Sequence, residues 1–342
     1  MKSVQRNRVL IAATFFTLVL IAALWRPVSA WLFSPAPPPT IKLSIALNNT
    51  YPGSGLLYLA QANGYFAQQG LDATFLPYTS GRDALAAALQ KRADLATCAD
   101  IPVMFAALEG APVAIVATIF TASRANGIVA RRDRGIASVT DLNNKTIGVT
   151  LKTDGHFVLS AMLARYQASL SDVRIEHLRP QDALAALVSG KVDAISTWEP
   201  ILSRAAKALG DNAVLFRTEG RFVFDFNLAG DAGWIKSHPD QTRRLLRVLL
   251  QAKRYADEHP RQARSIIATA MKLEPGTFDA VGPNYHFVVE LNQNLLGMLE
   301  DQARWAIQNG LTSQTATMPN FLHFIDMDAL TAVKPDAVTI VR

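Results

Sequence analysis

The sequence predicts an α/β protein with two doubly wound lobes, a ligand cleft between them and a helical C-terminal region. From Ile41 onward, short apolar strands alternate with longer helical patterns, as in βαβ units. One helix–strand unit occurs twice, at 83–102 and at 182–201. Beyond about Trp234 the pattern becomes mostly helical. A chain of 342 residues is long enough for two lobes that each bury a core.

The first 30 residues have the layout of an export signal. Basic residues precede an uncharged run of 17 residues at 9–25, and a short segment ending in Ala30 follows. This run is long for a signal peptide and near the shortest length that spans a membrane. Cleavage after Ala30 and retention as an inner-membrane anchor therefore both stay open. In either case the rest of the chain is exported to the periplasm, and 31–40 predicts a stiff, proline-rich linker.

Charge and cysteine content exclude two kinds of site. The formal net charge is +6, but four basic residues lie in the acid-free first 30 residues, which leaves +2 for the remainder. That remainder has no run of Lys or Arg, so we expect no nucleic-acid partner. Cys98 is the only cysteine, which excludes a disulfide and a cysteine-based metal site. It lies in an apolar stretch and is expected to be a small buried side chain.

The strands and the C-terminal helices follow from the apolar pattern. The alternation of short strands with helices favours parallel sheets covered by helices on both faces. The predicted strands are 41–47, 72–78, 94–98, 113–119, 146–150, 173–178, 192–196 and 213–217. The predicted tail helices are 242–258, 260–273 and 292–309.

The repeated unit aligns at a constant offset of 99 residues. Acidic residues match at its start, before its strand and after its strand; the pairs are Asp83 with Asp182, Asp94 with Asp193, and Asp100 with Glu199. Two copies of one unit predict two similar lobes. Doubly wound sheets bind ligands outside the carboxyl ends of their strands. The loops after strands are therefore the candidate site, and we expect Asp100 and Glu199 to face each other across the cleft.

Short motifs along the chain carry a family resemblance. Examples are Leu57-Tyr58-Leu59-Ala60, Asn63-Gly64-Tyr65-Phe66, Gly110-Ala111-Pro112-Val113, Lys145-Thr146-Ile147-Gly148-Val149 and Thr197-Trp198-Glu199-Pro200. In their order and spacing, from about Ile41 to the C-terminus, the sequence resembles the periplasmic substrate-binding proteins of ABC importers for nitrate, sulfonate, taurine and bicarbonate. That group also includes binders of thiamine pyrimidines.

The resemblance implies the type II periplasmic-binding fold, in which the chain crosses between the lobes twice. The first lobe is then 41–124 plus 229–342, and the second lobe is 125–228. The hinge is expected near 121–131 and 220–230, where rotation closes the lobes on a ligand. The resemblance also implies a monomer without a cofactor, which captures a small solute and delivers it to an ABC permease in the inner membrane.

Candidate ligand-binding residues of the first lobe follow its strands. The loop after the first strand is polar and leads into a helix, whose first N–H groups can hold an anion or a carbonyl oxygen. Each residue can instead cap a helix or pack in the wall, and both interpretations stay open. The candidates are Asn48, Tyr51, Ser54, Gly55, Ser80, Gly81, Asp100 and, at the return crossing, Asn227.

Candidate residues of the second lobe lie near 152–157 and after 192–196. Sulfonate and taurine binders of the resembled family have small hydroxyl residues in the loop that corresponds to 152–157. This chain has Thr153 there but also Asp154. Trp198 offers a ring for stacking, and Glu199 offers an acceptor for an amine, while capping and packing remain the alternatives. The candidates are Thr153, Asp154, His156, Trp198 and Glu199.

The acids at the cleft bear on the ligand. Asp100, Asp154 and Glu199 face only Arg82 and Lys152 as basic neighbours in these loops. A bare anion would meet uncompensated carboxylates unless a proton or cation joined it. The sequence therefore predicts a ligand with a nitrogen donor, such as an aminosulfonate or a nitrogen heterocycle. The alternative is that the acids only cap helices.

Two other function classes were weighed against solute binding. An enzyme needs a nucleophile, a metal cluster or an acid–base pair, and the sequence has no HExxH, Gly-x-Ser-x-Gly or Walker motif. Pyrimidine synthases related to the resembled family use a cysteine-rich stretch, which one cysteine cannot supply. A membrane-tethered sensor would retain the N-terminal apolar run. We therefore expect a binding protein and no catalytic residue or metal.

Overall fold

The computed structural model describes residues 40–218, 223–273, 285–313 and 315–341. The predicted export signal at 1–30 and all of the predicted linker but Thr40 lie outside these residues. Within the described ranges, no helix combines the length and the apolar character that a membrane span requires.

Strands and helices alternate through most of the described chain. The strands are β1 (Ile41–Asn48), β2 (Leu71–Tyr78), β3 (Leu95–Ala99), β4 (Val113–Ser123), β5 (Asn126–Arg131), β6 (Thr146–Val149), β7 (Arg174–His177), β8 (Ala194–Trp198), β9 (Ala213–Arg217), β10 (Val223–Asp231) and β11 (Tyr285–Glu290). The helices are α1 (Gly55–Ala62), α2 (Tyr65–Gln68), α3 (Gly81–Leu89), α4 (Asp100–Leu108), α5 (Asp154–Arg165), α6 (Pro180–Val188), α7 (Ile201–Leu209), α8 (Ala232–Ser237), α9 (Pro239–Glu258), α10 (Pro260–Ala270), α11 (Gln293–Gln308) and α12 (Asp328–Val333).

The described strands form two mixed sheets, in the orders β2-β1-β3-β10-β4-β11 and β7-β6-β8-β5-β9. Three strands run parallel at the same end of each sheet. β10 is antiparallel to β3 and β4, and β5 is antiparallel to β8 and β9. The predicted parallel strands are present, and each sheet also contains antiparallel strands. β5 and β10 each follow a crossing from the other lobe. Such a strand enters its sheet at the cleft, which is the edge where the parallel strands end, so it runs antiparallel to them.

The chain crosses between the sheets after β4 and again after β9. Val223 already pairs with Ser123 in the first sheet. The return crossing therefore lies before Val223, whereas the prediction had the second lobe end at 228. We call the described residues of 40–125 and 223–341 the first lobe, and residues 126–218 the second lobe.

The predicted strands correspond to β1–β4 and β6–β9, whereas β5, β10 and β11 were missed. β5 and β10 are the two strands that follow a crossing, and they interrupt the strand–helix alternation on which the prediction depended. β11 lies in the tail, which was predicted to be helical. It covers the edge of β4 as an antiparallel partner.

The repeated unit occupies equivalent places in the two sheets. Before β3, the Asp94 carboxylate accepts hydrogen bonds from the backbone N–H and the hydroxyl of Ser44 in β1, both at 2.7 Å. Before β8, the Asp193 carboxylate accepts one from the N–H of Thr146 in β6, at 2.9 Å. The matched acids thus join equivalent strands in each lobe. Cys98, within β3, is buried as predicted.

The two lobes touch along one side of the cleft. The ring of Trp305, on α11 of the first lobe, lies 5.4 Å from His156 and 5.2 Å from Phe157 on α5 of the second lobe. Polar contacts also join the lobes across the cleft: Arg82 Nη1 donates to the Leu151 carbonyl at 3.1 Å, and Lys152 pairs with Glu109. The structure therefore has the lobes closed on each other.

Candidate functional site

A narrow cavity lies between the lobes at the carboxyl ends of β1, β3 and β8. The space within it, including the part that is open to solvent, is about 330 Å³. Its lining residues are Asn48, Tyr51, Gly81, Arg82, Ala99, Pro102, Thr153, Asp154, Trp198 and Phe226. The structure thus brings together six of the predicted site residues, which are Asn48, Tyr51, Gly81, Thr153, Asp154 and Trp198.

Helices α3, α4 and α5 begin at the wall of this cavity. The first N–H groups of a helix have no acceptor within it, and the positive end of its dipole favours a negative charge. Glycine permits the close approach of α3 and α5 to the sheets. A Cβ on Gly81 would lie 2.9 Å from the Cα of Cys98, and one on Gly155 would lie 2.8 Å from the carbonyl oxygen of Ser196.

Trp198 ends β8 and presents an indole donor at the cavity. Its side chain is 6% exposed, and its buried Nε1–H has no hydrogen-bond partner among the described residues. A buried donor without an acceptor costs about 1–3 kcal/mol. A ligand oxygen in the cavity would remove this cost.

Asp154 is the acidic residue that lines the cavity. Its Oδ1 is buried and has no hydrogen-bond partner in the described part of the chain. Burial raises the pKa of this carboxyl well above its usual range, and the nearby charge of Asp100 raises it further. Asp154 therefore holds its proton to a higher pH than an exposed aspartate does.

Asp100 lies behind the cavity wall and does not line it. Its Oδ1 accepts from the N–H of Ile101, and its Oδ2 accepts from Nε2 of Gln302 on α11, both at 2.8 Å. Burial raises the pKa of Asp100 to about 6, although these hydrogen bonds act in the opposite direction. The predicted ligand contact is thus replaced by a contact with the C-terminal region.

Glu199 points into the second lobe and is only 1% exposed. Its Oε1 accepts from Arg217 Nη2 at 2.9 Å and from the Ser203 hydroxyl at 2.8 Å, while Oε2 accepts from the Ser203 N–H at 3.0 Å. Both carboxylate oxygens are therefore engaged within the second lobe, and Glu199 does not line the cavity. The expectation that Asp100 and Glu199 face each other across the cleft is wrong.

Three further predicted residues support the wall of the first lobe. The buried hydroxyl of Ser54 donates to the carbonyl of Asn48 at 2.8 Å and does not cap α1. Ser80 caps α3, since its Oγ accepts from the N–H of Asp83 at 3.1 Å. Gly55 adjoins Phe287, whose ring would lie 2.7 Å from a Cβ placed there. None of these three lines the cavity.

His156 and Asn227 also lie outside the cavity lining. His156 is buried on α5, where its Nδ1 accepts from the N–H of Lys152 at 3.4 Å. Burial lowers the pKa of His156 to about 4, so the ring is neutral at pH 7. Asn227 accepts a hydrogen bond from the Thr118 hydroxyl at 2.8 Å, within the first sheet.

The remaining lining residues are Arg82, Ala99, Pro102 and Phe226, and they were not among the predicted binding residues. Arg82 follows the predicted Ser80-Gly81 pair and was noted only as a basic neighbour. Ala99 precedes Asp100 and Pro102 lies two residues after it, so the predicted loop reaches the cavity through these residues and not through Asp100. Phe226 was missed because β10 was interpreted as part of the hinge. In the described ranges, no group of three His, Cys, Asp or Glu side chains is placed to hold a metal ion.

Comparisons with known proteins give a consistent family. The family model described as NMT1/THI5 like matches residues 52–263, more than half of the chain. A candidate aliphatic sulfonates-binding protein of Bacillus subtilis (strain 168) is 26% identical over 234 residues, which cover 67% of this chain and 70% of that protein.

Solved structures confirm the periplasmic-binding-protein fold. The alkanesulfonate-binding protein SsuA from Xanthomonas axonopodis pv. citri, bound to MOPS, matches with a TM-score of 0.73 at 20% identity, covering 84% of this chain and 99% of its own. The desulfurization enzyme DSZB matches with a TM-score of 0.63 at 17% identity, covering 86% and 99%. The fold is therefore shared by binding proteins and an enzyme, and it does not decide between them.

Proposed function

Because this chain belongs to the NMT1/THI5-like family and its two lobes enclose a cavity, we propose that it is the solute-binding component of an ABC-type importer. It captures a small anion of the sulfonate class between its lobes in the periplasm. It then delivers that anion to a permease in the inner membrane. The Trp198 indole donor, buried at the cavity without an acceptor, is the observation that carries this proposal.

The other polar groups at the cavity favour the same class of ligand. Helices α3, α4 and α5 direct their N-termini to it, and Arg82 adds a positive charge. Three sulfonate oxygens can accept from several such donors at once. A protein named for aliphatic sulfonates and a structure named for an alkanesulfonate are among its relatives, which supports this choice over other small anions such as nitrate.

An aminosulfonate such as taurine is a second candidate ligand, and Asp154 is the residue that favours it. The unpartnered Oδ1 of Asp154 would accept a hydrogen bond from an ammonium group. Protein donors occupy Asp100 and Glu199, so the prediction of a nitrogen donor now depends on Asp154 alone.

We infer that the cavity serves binding and not catalysis. Cys98 is buried in β3 and does not line the cavity, and burial raises the pKa of its thiol. His156 is packed against Trp305 outside the lining. Among the lining residues, none forms the pair of nucleophile and base that covalent catalysis requires.

Titration of the exported protein with methanesulfonate, taurine and nitrate tests the proposed function. We expect the sulfonates to bind and to lower the radius of gyration in solution scattering, because the lobes close about 121–131 and 220–230. Trp198→Phe should weaken methanesulfonate binding about tenfold, since it removes one buried hydrogen bond.

Trp234→Phe is the matched control. Trp234 lies on α8 and stacks on His238, with ring centroids 4.5 Å apart, and it does not line the cavity. This variant should bind like the wild type. The proposal fails if no compound of the panel binds, or if Trp198→Phe binds methanesulfonate as tightly as the wild type does.

A further inference from the structure

We propose that the cavity binds its anionic ligand together with one proton, which Asp154 carries and donates to the ligand as a hydrogen bond. This inference rests on the proposed function and gives Asp154 the role of a donor. It removes the conflict between an anion and the carboxyl group beside it, and it needs no amine on the ligand.

The position of Asp154 supports this role. It begins α5, and Trp198, Arg82 and the start of α3 at Gly81 line the same cavity. These neighbours offer N–H donors, and the Trp198 indole N–H is buried and has no partner among the described residues. An ionised Asp154 would repel an anion held by those donors, whereas a neutral carboxyl adds one more donor.

The acids and the tyrosine of the first lobe around Asp154 add no positive charge. Asp100, behind the wall on α4, raises the pKa of Asp154 in addition to the larger effect of burial. Asp225 on β10 adjoins Asp100, and burial, Asp100 and Glu290 raise its pKa to about 8. Tyr51 has its pKa raised by burial and by these acids, so it stays neutral.

The basic side chains near Asp154 have hydrogen-bond or ion-pair partners within the protein. Arg82 donates from Nη1 to the Leu151 carbonyl at 3.1 Å. Lys152 pairs with Glu109 and lies 5.0 Å from the centre of the Phe105 ring. On α5 itself, His156 carries no charge at pH 7 because burial lowers its pKa to about 4. Arg82 supplies one positive charge at the cavity, whereas the anion and an ionised Asp154 would be two negative charges. The proton on Asp154 removes the second of them.

Closure of the lobes couples this proton to the ligand. When the lobes open, water reaches Asp154 and its pKa returns toward the usual value. Closing on a sulfonate, which stays ionised over the working pH range, then requires proton uptake. The protonated form binds, so affinity is highest at low pH and falls by up to about tenfold for each pH unit above the pKa of the open form.

Calorimetry with methanesulfonate between pH 5.5 and pH 8.5 tests the inference. Each pH is measured in two amine buffers of different ionisation enthalpy, and sulfonate buffers are avoided because they are candidate ligands. We expect the wild type to lose affinity as the pH rises and to take up close to one proton per ligand at pH 8. Asp154→Asn should bind at every pH with constant affinity and no proton uptake, since its amide also donates.

Asp257→Asn is the control for the loss of one carboxylate. Asp257 lies on α9, has a side chain 58% exposed and pairs with Lys253 at 2.6 Å. This variant should keep the wild-type pH dependence and proton uptake. If Asp154→Asn does not fold, the proton uptake of the wild type decides the question without it.

Two results would overturn the inference while leaving the proposed function intact. One is sulfonate binding by the wild type with the same affinity at all pH values and no proton uptake. The other is taurine binding that strengthens as the pH rises and is lost in Asp154→Asn, because Asp154 would then be an ionised acceptor. Failure of every sulfonate to bind at any pH would overturn the proposed function and this inference together.

Discussion

The two lobes contain the same helix–strand unit, but they surround the acid that ends it differently. In the second lobe, Glu199 is held by the guanidinium of Arg217 and by Ser203. In the first lobe, the equivalent Asp100 has the amide of Gln302 and the backbone of Ile101 as partners. Asp154 and Asp225 lie close enough to Asp100 for their pKa values to respond to its charge.

This difference shows that acids at equivalent positions of the repeat can have different partners and different roles. An acid bonded to a cation stabilises its own lobe, whereas a buried acid beside other acids favours its protonated form. The first-lobe acid therefore belongs to a group that can exchange protons next to the cavity. The second-lobe acid is part of the framework.

Asp225 should show the largest effect that separates the two lobes. Its pKa is raised to about 8 in the folded protein, mainly by burial, and has its ordinary value when unfolded. The folded state then binds more protons, so the free energy of unfolding falls as the pH rises. We expect a loss of about 4 kcal/mol between pH 5 and pH 8. Urea unfolding should show a loss that is smaller by about this amount in Asp225→Asn than in the wild type, in which Asp100 and Asp154 also contribute.

A variant of the second-lobe acid, Glu199→Gln, should leave the pH dependence between pH 5 and pH 8 in place. A wild-type curve that is flat over this range would show that Asp225 is not protonated in the folded protein. The buried acids of the first lobe, which are Asp100, Asp154 and Asp225, would then not exchange protons in this pH range.

Arg217→Met should have the next largest effect, and it acts on the second lobe. It leaves Glu199, which is 1% exposed, without its cation, and we expect a loss of about 3 kcal/mol in the free energy of unfolding. Glu199→Gln in the same chain should restore at least half of that loss. Arg174→Met is the control, because Arg174 donates to the Thr146 hydroxyl at 3.3 Å in the same sheet. Equal losses for both arginines would argue against the ion pair.

The smallest effect concerns the two matched acids that precede the central strands. Asp94→Ala should cost about 2 kcal/mol and Asp193→Ala about 1 kcal/mol. The reason is that Asp94 accepts two hydrogen bonds from Ser44, whereas Asp193 accepts one from Thr146. Chemical denaturation of the two variants measures the difference. A larger loss for Asp193→Ala than for Asp94→Ala would show that the number of accepted hydrogen bonds does not determine the contribution of these two acids to stability.

Most of the fold could be predicted because alternation of strand and helix is a local property of the sequence. β1 and β6, for example, are apolar segments followed directly by a polar loop and a helix. β5 and β10 could not be predicted in the same way. Their sheet partners come from distant parts of the chain, as when Asn126 pairs with Trp198.

The candidate site could be located but not assigned side chain by side chain. Loops after parallel strands meet at one edge of a sheet, and that rule placed Asn48, Thr153 and Trp198 at the cavity. The roles of Asp100 and Glu199 depend on Gln302 and Arg217, which lie outside the repeated unit. Their contacts arise only when the chain is folded, so the match within the repeat predicted an equivalence that does not exist.

The two crossings of the chain between the sheets also set an order of assembly during synthesis. The second sheet draws all its described strands from 126–217, one continuous stretch. The first sheet needs β10 between β3 and β4, so it stays incomplete until Asp231 has been made. A nascent chain that ends after Thr218 should protect the amides of 126–217 from exchange before those of 41–123. The strands that are made first are then the strands that complete their sheet last.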